Sequence, residues 1–302
     1  MVKNLVLENI SVGFKLPQGV FYAVDDVSLN LPGGNFTAII GESGCGKSVL
    51  GQAILNILPS GIVKKGRVLY NGEQVEKILT AFGIIPQNPS ESLNPVRKIG
   101  KQMQDILDVH NVTDSDNSYK KQCLHLFGLQ EAERVLAAYP HELSGGMLQR
   151  VLCAMAVSSK SEWILADEPT KGLDEQVGAV VRKNLLTIKQ DLHLSMLIIT
   201  HDIALAQEVC DDVLVMYAGQ VLEHNADIWH KPLHPYTKGF LQALPKNGLQ
   251  VIPGKAPVPG ESFTGCKFAA RCPYCTTRCK EEMPAMQQVG DAEVRCFLYA
   301  EG

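Results

Sequence analysis

Nowhere in this sequence do about 18 apolar residues follow one another without interruption, so no membrane-spanning helix is expected. The opening stretch MVKNLVLENISVGF lacks a basic start, an apolar segment and a small-residue cleavage site, and no secretory leader is read there. An excess of one charge is missing too. The chain has 28 Lys and Arg against 32 Asp and Glu, a net charge of -4, which speaks against a protein that coats a polyanion such as nucleic acid. A soluble, intracellular chain is the expectation. With 45% apolar and 20% charged residues over 302 positions, disorder is excluded, and the length suggests two compact units.

Cysteine is scarce for a secreted disulfide scaffold, at nine residues, but five of them (Cys266, Cys272, Cys275, Cys279 and Cys296) crowd into the last 37 positions. In a reducing compartment that clustering reads as metal binding. Cys45, Cys123, Cys153 and Cys210 are scattered and are read as small buried residues without a role.

Residues 20–31 (VFYAVDDVSLNL) alternate like a half-buried strand, and a second strand over 67–70 runs into Asn71-Gly72, a strong turn pair; together they predict an antiparallel patch. Between them, TAII at 37–40 enters a glycine-rich turn and is followed by a helical stretch, KSVLGQAILNIL. The apolar runs at 82–85, 163–166 and 196–200 read as buried parallel strands, the last two separated by a helix from Asp174 to about Asp191. Residues 90 to about 158 carry helical patterns instead, broken by the polar TDSDNS, and predict an all-helical insertion. From about 245 the Pro- and Gly-rich PKNGLQVIPGKAPVPGES predicts a linker or extended arm.

Gly41-Glu42-Ser43-Gly44-Cys45-Gly46-Lys47-Ser48 fits G-x-x-x-x-G-K-[ST] between an apolar strand and a helix. The glycines let successive backbone N–H groups point into one concavity, and the helix N-terminus adds partial positive charge where a phosphate would lie. Lys47 is expected to bridge the β- and γ-phosphates and Ser48 to hold Mg²⁺. Such a loop also needs a carboxylate at the tip of a neighbouring buried strand, and the run Trp163–Ala166 ends in Asp167-Glu168. Asp167 is expected to reach Mg²⁺ through water and Glu168 to polarise an attacking water. An aromatic residue upstream should stack on adenine, Phe14 first and Tyr22 second.

Leu143-Ser144-Gly145-Gly146-Met147-Leu148-Gln149-Arg150 resembles the LSGGQ-type signature of ATP-binding cassette (ABC) proteins. The resemblance runs along the chain in order: phosphate loop with Val49 after it, Gln87 as the Q-loop glutamine and a further Mg²⁺ group, signature, Asp167-Glu168, D-loop around Gly172-Leu173-Asp174, and His201 as the switch histidine in IITHD. It implies an α/β fold of the P-loop NTPase, ABC type: a RecA-like parallel sheet core with an antiparallel β patch over residues 1–88 and 159–244, and a helical subdomain over 89–158. It also implies that Leu143, Ser144, Gly145, Gly146, Met147 and Gln149 cap ATP held by a second ATPase subunit, in a homodimer or a heterodimer. Val49, Cys45 and Lys171 depart from the commoner Thr, Ser and small polar residue, and none of them removes a ligand.

The stretches Gln87–Pro95 and Lys231–Thr237 (KPLHPYT) look like the ATPase subunits of oligopeptide, dipeptide and nickel importers. So does the tail over 245–302. There Cys266, Cys272, Cys279 and Cys296 stand in a C-x5-C-x6-C-x16-C pattern, which suits a [4Fe–4S] cluster or, as the alternative, tetrahedral Zn²⁺. Metal would supply folding energy that such a tail cannot draw from a core. Cys275 is a spare or a substitute ligand; His230 and His234, on an expected helix broken by Lys231-Pro232, are read as packing or capping groups.

The expected protein is therefore an ATPase that binds MgATP at the cytoplasmic face of the inner membrane as a peripheral subunit. It would drive membrane-spanning permeases, and through them an extracytoplasmic binding protein, in the uptake of peptides. Nickel or a metal chelate is the alternative cargo, and a non-transport ABC ATPase or an iron–sulfur sensor the alternative class.

Overall fold

A computed structural model describes residues 3–17, 19–74, 81–244, 250–258 and 261–300. In chain order the strands are β1 (Leu5–Leu16), β2 (Gly19–Leu31), β3 (Phe36–Ile40), β4 (Val63–Tyr70), β5 (Glu73–Gln74), β6 (Phe82–Ile85), β7 (Trp163–Asp167), β8 (Ser195–Ile199), β9 (Asp212–Tyr217), β10 (Gln220–Asn225), β11 (Gln287–Val289) and β12 (Ala292–Val294). The helices are α1 (Lys47–Leu55), α2 (Pro89–Ser92), α3 (Ile99–Val109), α4 (Ser118–Leu126), α5 (Ala132–Ala137), α6 (Gly145–Ser158), α7 (Glu175–Leu192), α8 (Ile203–Val209), α9 (Pro235–Gln242) and α10 (Thr277–Glu281). The chain divides into two compact units: residues 3–4, Pro32–Phe36 and 81–209, and residues Leu5–Leu31, Thr37–Gln74 and 210–300.

In the first unit, β6, β7 and β8 form a parallel ladder, with Phe82 opposite Trp163 and Trp163 opposite Ser195. Parallel neighbours need long crossovers, and here the crossovers are helical: the insertion α2–α6 between β6 and β7, and α7 between β7 and β8. α3 buries Ile99, Met103 and Leu107, one stripe at a spacing of four, as its amphipathic sequence requires. α6 is buried from Leu148 to Ser158 on almost every face and so takes an inner position. It lies so close to β6 that a Cβ on Gly83 would stand 2.5 Å from the Ala156 carbonyl oxygen. Trp163, fully buried, donates its indole N–H to the Lys3 carbonyl at 2.8 Å. Each Leu, Ile or Val sealed in these strands contributes about 1.5–3 kcal/mol.

In the second unit, an antiparallel sheet has the order β2-β1-β4-β5. β4 and β5 turn at Asn71 (φ 53°) and Gly72 (φ 83°), the left-handed pair that a two-residue hairpin demands. β3 pairs in parallel with β9, β9 with β10, and β10 with β12, which pairs with β11; these last three pairings are antiparallel. α1 ends earlier than the apolar run suggests, at Leu55, because Asn56 takes a left-handed conformation (φ 57°).

The Pro- and Gly-rich stretch lies partly outside the described residues, at 245–249 and 259–260; its described parts, 250–258 and 261–262, hold no helix or strand. The cysteine-bearing segment beyond it does have a core, contrary to the expectation of a tail without one. Phe268 is 1% exposed and packs against Tyr217 of β9 and Tyr236 of α9, with ring centroids 5.4 and 5.5 Å away. Lys267 donates to Asp25 at 2.8 Å and to the Ala218 carbonyl at 2.9 Å, and β12 is hydrogen-bonded to β10. His230 lies in a turn, and His234 precedes α9, so the expected helix carrying both is not formed.

Candidate functional site

The loop Gly41–Ser48 leaves β3 and enters α1 in the second unit. Gly41 (φ 149°) and Gly46 (φ 108°) are required there: a Cβ at either would stand 2.2 Å from a backbone oxygen, of Met216 and Ala23 respectively. Lys47 is buried, and its ammonium donates to the Gly41 carbonyl at 2.9 Å and the Glu42 carbonyl at 3.0 Å, so the charge stands within the turn. The β9–β10 turn fastens the loop from behind, Gly219 N–H donating to the Cys45 carbonyl at 2.9 Å. Burial pushes the Cys45 thiol up, and it packs as an inert small residue. Ser43 and Gly44 are exposed, while Ser48 and Val49 are half-buried on the first turn of α1.

Glu42 is held twice. Its N–H donates to the Tyr236 hydroxyl at 3.1 Å, and both its carboxylate oxygens accept from Arg271 Nη1 at 3.1 Å. Neither partner was expected from the sequence; Tyr236 sits in the KPLHPYT stretch, and no local signal marks Arg271. A cavity of about 320 Å³ reaches Gly44 and is lined by Tyr22 and Phe21. Phe14, opposite Phe21 in the β1–β2 ladder, does not line it, so of the two aromatic candidates Tyr22 is the one beside the loop.

The first unit carries the acidic constellation. Asp167 ends β7, half-buried, and Gln87 lies exposed two residues beyond β6, the strand beside it. Glu168 is buried and takes φ 54°, a strained conformation for a residue that carries a Cβ. Its N–H donates to the Ile199 carbonyl at 2.8 Å, pinning it to the end of β8. Its Oε2 accepts from His201 Nδ1 at 2.7 Å and from the His201 N–H at 3.3 Å. The His201 ring is otherwise exposed, so this carboxylate and imidazole form a joined, solvent-facing pair able to hold a water and take its proton. The next residue, Asp202, accepts from Thr170 Oγ1 at 3.0 Å and caps α8 through the Leu205 N–H.

The signature residues open α6. Ser144 is exposed and accepts from the Met147 N–H at 3.3 Å, as an N-cap should. Gly145 is exposed, Gly146 and Met147 are half-buried, Leu143 is buried and Gln149 is buried with neither amide atom hydrogen-bonded. Gly172 and Leu173 precede Asp174, which caps α7 through the Val177 N–H at 2.9 Å.

In the second unit, Cys266, Cys272, Cys279 and Cys296 line one cavity of about 160 Å³ with His234 and Phe268. Cys275 does not line it; its thiol faces the Thr276 carbonyl at 3.5 Å. Burial, and then the neighbouring thiols, pushes Cys266 up to about 11, and the same causes raise Cys272 and Cys296. Among the described residues no three His, Cys, Asp or Glu side chains converge closely enough to share one ion. His234 is fully buried and accepts from the Tyr236 N–H at 3.0 Å; burial pushes it down to about 3, so it is neutral.

The sequence matches the family described as "ABC transporter" over residues 24–171 and the one described as "Oligopeptide/dipeptide transporter, C-terminal region" over residues 222–279. It is 34% identical to the oligopeptide transport ATP-binding protein OppD of Haemophilus influenzae, with 98% of each chain covered. It is 36% identical to the dipeptide transport ATP-binding protein DppD of Escherichia coli, covering 95% of this chain and 94% of that one. A dimeric ATP-binding cassette solved in a post-hydrolysis state with ADP and phosphate gives a TM-score of 0.64 at 25% identity, over 73% of this chain and 97% of the other.

Proposed function

The chain belongs to the ABC transporter family as an ATP-binding, ATP-hydrolysing subunit, and from that premise we propose that it powers the import of oligopeptides or dipeptides. One observation carries the peptide reading: a cassette match over 24–171 and a peptide-transporter C-terminal match over 222–279 occur in one chain. Among the described residues no helix is long and apolar enough to cross a membrane, which fits a subunit that works through separate permeases at the cytoplasmic face. Two such subunits, identical or not, would close on ATP, and nothing in the reading calls for nucleic acid.

In this reading residues 1–88 and 159–244 form the ATP-binding core, 89–158 the helical subdomain that meets the permease, and 245–302 the C-terminal extension. The N–H groups of the loop and Lys47 bind the phosphates, Ser48, Gln87 and Asp167 serve Mg²⁺, and Tyr22 stacks on adenine. Glu168 accepts the proton of the attacking water; His201, hydrogen-bonded to it at 2.7 Å, fixes its orientation and contacts the γ-phosphate. Ser144, Gly145 and Gly146 at the start of α6 offer N–H groups to the γ-phosphate bound by the partner subunit.

We read Cys266, Cys272, Cys279 and Cys296, which line the cavity of about 160 Å³, as the candidate ligands of a [4Fe–4S] cluster, on the ground that four thiolates in one segment suit that group. Tetrahedral Zn²⁺ on the same four cysteines is the alternative, since four thiolates suit either group. When bound, a cluster cross-links residues 266–296 and can exchange one electron; Cys266, Cys272, Cys279 and Cys296 would hold it.

The test is reconstitution of the chain with its co-assembled permeases and binding protein in lipid nanodiscs, with ATPase measured as the binding protein is loaded with peptides or with chelated nickel. Stimulation by peptides is expected. Stimulation by chelated nickel alone would overturn the peptide reading and leave the ATPase in place.

A further inference from the structure

The Arg271 guanidinium is built into its position. Nε donates to the Pro253 carbonyl at 3.1 Å, Nη2 reaches the Ile252 carbonyl at 3.5 Å, and Nη1 donates to the Tyr217 hydroxyl at 3.3 Å and to both Glu42 oxygens. The carbon between its nitrogens lies 5.7 Å from the Tyr217 ring centre and 6.0 Å from that of Phe268. Its side chain is 7% exposed and that of Glu42 26%, so the pair is only partly screened by water. Glu42 is the second residue of the loop that grips Lys47 through its own carbonyl. A carboxylate is a poor neighbour for a polyphosphate, and the loop itself supplies no cation for Glu42: Lys47 is engaged with two loop carbonyls.

We propose that Arg271 is a positioning residue of the nucleotide site: from the segment next to Cys272 it neutralises and pins Glu42, so that the phosphate loop presents net positive charge to MgATP. This rests on residues 41–48 being the phosphate site. Removing the guanidinium leaves a half-buried carboxylate uncompensated beside the incoming phosphates, a loss that falls on binding and not on the chemical step. A second substitution that removes the carboxylate then restores binding. That reversal separates charge compensation from packing, because a filler role for Arg271 would not be rescued by changing Glu42.

The full-length chain is compared as wild type, Arg271→Ala, Arg271→Lys, Glu42→Gln and the Arg271→Ala/Glu42→Gln double variant. MgATP affinity is read with a fluorescent ATP analogue, and kcat and KM for hydrolysis are determined alongside. Arg271→Ala is expected to weaken affinity and raise KM about tenfold, with a much smaller change in kcat, and the double variant to recover most of that loss. Arg271→Lys, which keeps the charge and loses the shape, should weaken affinity about threefold. Glu42→Gln alone should tighten MgATP, and it carries the test if Arg271→Ala does not fold. A double variant as weak as Arg271→Ala, or a Glu42→Gln chain that binds less tightly than wild type, overturns the proposal. If Lys47→Ala abolishes binding while Arg271→Ala leaves it intact, only the role of Arg271 falls. If Lys47→Ala binds as wild type does, the phosphate site itself is misplaced.

Discussion

The two compact units carry polar chemistry of different construction. In the second, the loop Gly41–Ser48 is made by backbone: glycine conformations set it, and the side chains of Arg271 and Tyr236 only steady it. In the first, Glu168 and His201 meet as side chains from the ends of two parallel strands, and their geometry depends on strand register. A backbone-built site fails by losing its ligand; a site built from side chains fails by losing its chemistry while ligand still binds. Substitutions in the two units should therefore separate binding from turnover.

The sharpest break is Glu168→Gln, which keeps the shape and hydrogen-bonding reach but removes the base. Turnover should fall by about 10²–10⁴ with MgATP binding retained, as read by single-turnover hydrolysis beside equilibrium binding. Normal hydrolysis by this variant would move the base elsewhere. Next in size is Phe268→Ala in the other unit. Removing the buried ring between Tyr217 and Tyr236 should cost about 3–5 kcal/mol in urea unfolding, a large share of a typical domain's stability. A loss under about 1 kcal/mol would mean that the C-terminal segment does not share the core of β9 and α9.

A smaller, pH-dependent effect is expected at His224, whose ring nitrogens lie 3.2 Å from Asp212 of β9 and 3.2 Å from Glu293 of β12. Burial works against its charge, but the two carboxylates outweigh burial and its pKa is raised. The paired imidazolium then stabilises the fold fully below the unfolded value of about 6.5, and that contribution is lost as pH rises through the higher folded value. His224→Gln should cost about 1–2 kcal/mol at pH 5.5 and much less at pH 9, measured by urea titration at both. Equal losses at the two pH values would reduce the residue to packing. The smallest effect should come from Ser144→Ala in the first unit, where loss of the α6 cap costs about 1 kcal/mol of stability. A loss of hydrolysis far beyond that cost, in the assembled dimer, would add the phosphate contact across subunits.

Legibility in the sequence divides along the same line. The phosphate loop, the signature and Asp167-Glu168 are consecutive residues whose chemistry is complete within a few positions, so their reading needs no tertiary contact. The apolar run at 163–166 and the helical pattern from Asp174 to about Asp191 are legible by length and periodicity, and β7 and α7 form there within one residue of those bounds. β1 and the β9–β10 pair went unread: β9 is buried at every position and lacks the alternation that marks a half-exposed strand, and its turn at Ala218-Gly219 is not a strong turn pair. Arg271 was invisible because 229 positions separate it from Glu42, and only the packing of Phe268 onto Tyr217 and Tyr236 brings them together. His234 reads as a packing or capping group, and it does cap α9; only the helix expected to carry it is misplaced, since α9 starts after it, at Pro235, where the proline fixes the first turn.

The ribbon β11–β12 closes the second unit's ladder, and its outermost strand, β11, is three residues long. A free margin that short offers a stray polypeptide almost no row of open amide and carbonyl groups on which to accrete. Truncation before Gln287 would bare β10, a six-residue strand, as the new margin, and the shortened chain should precipitate during refolding at concentrations where the intact one stays dispersed.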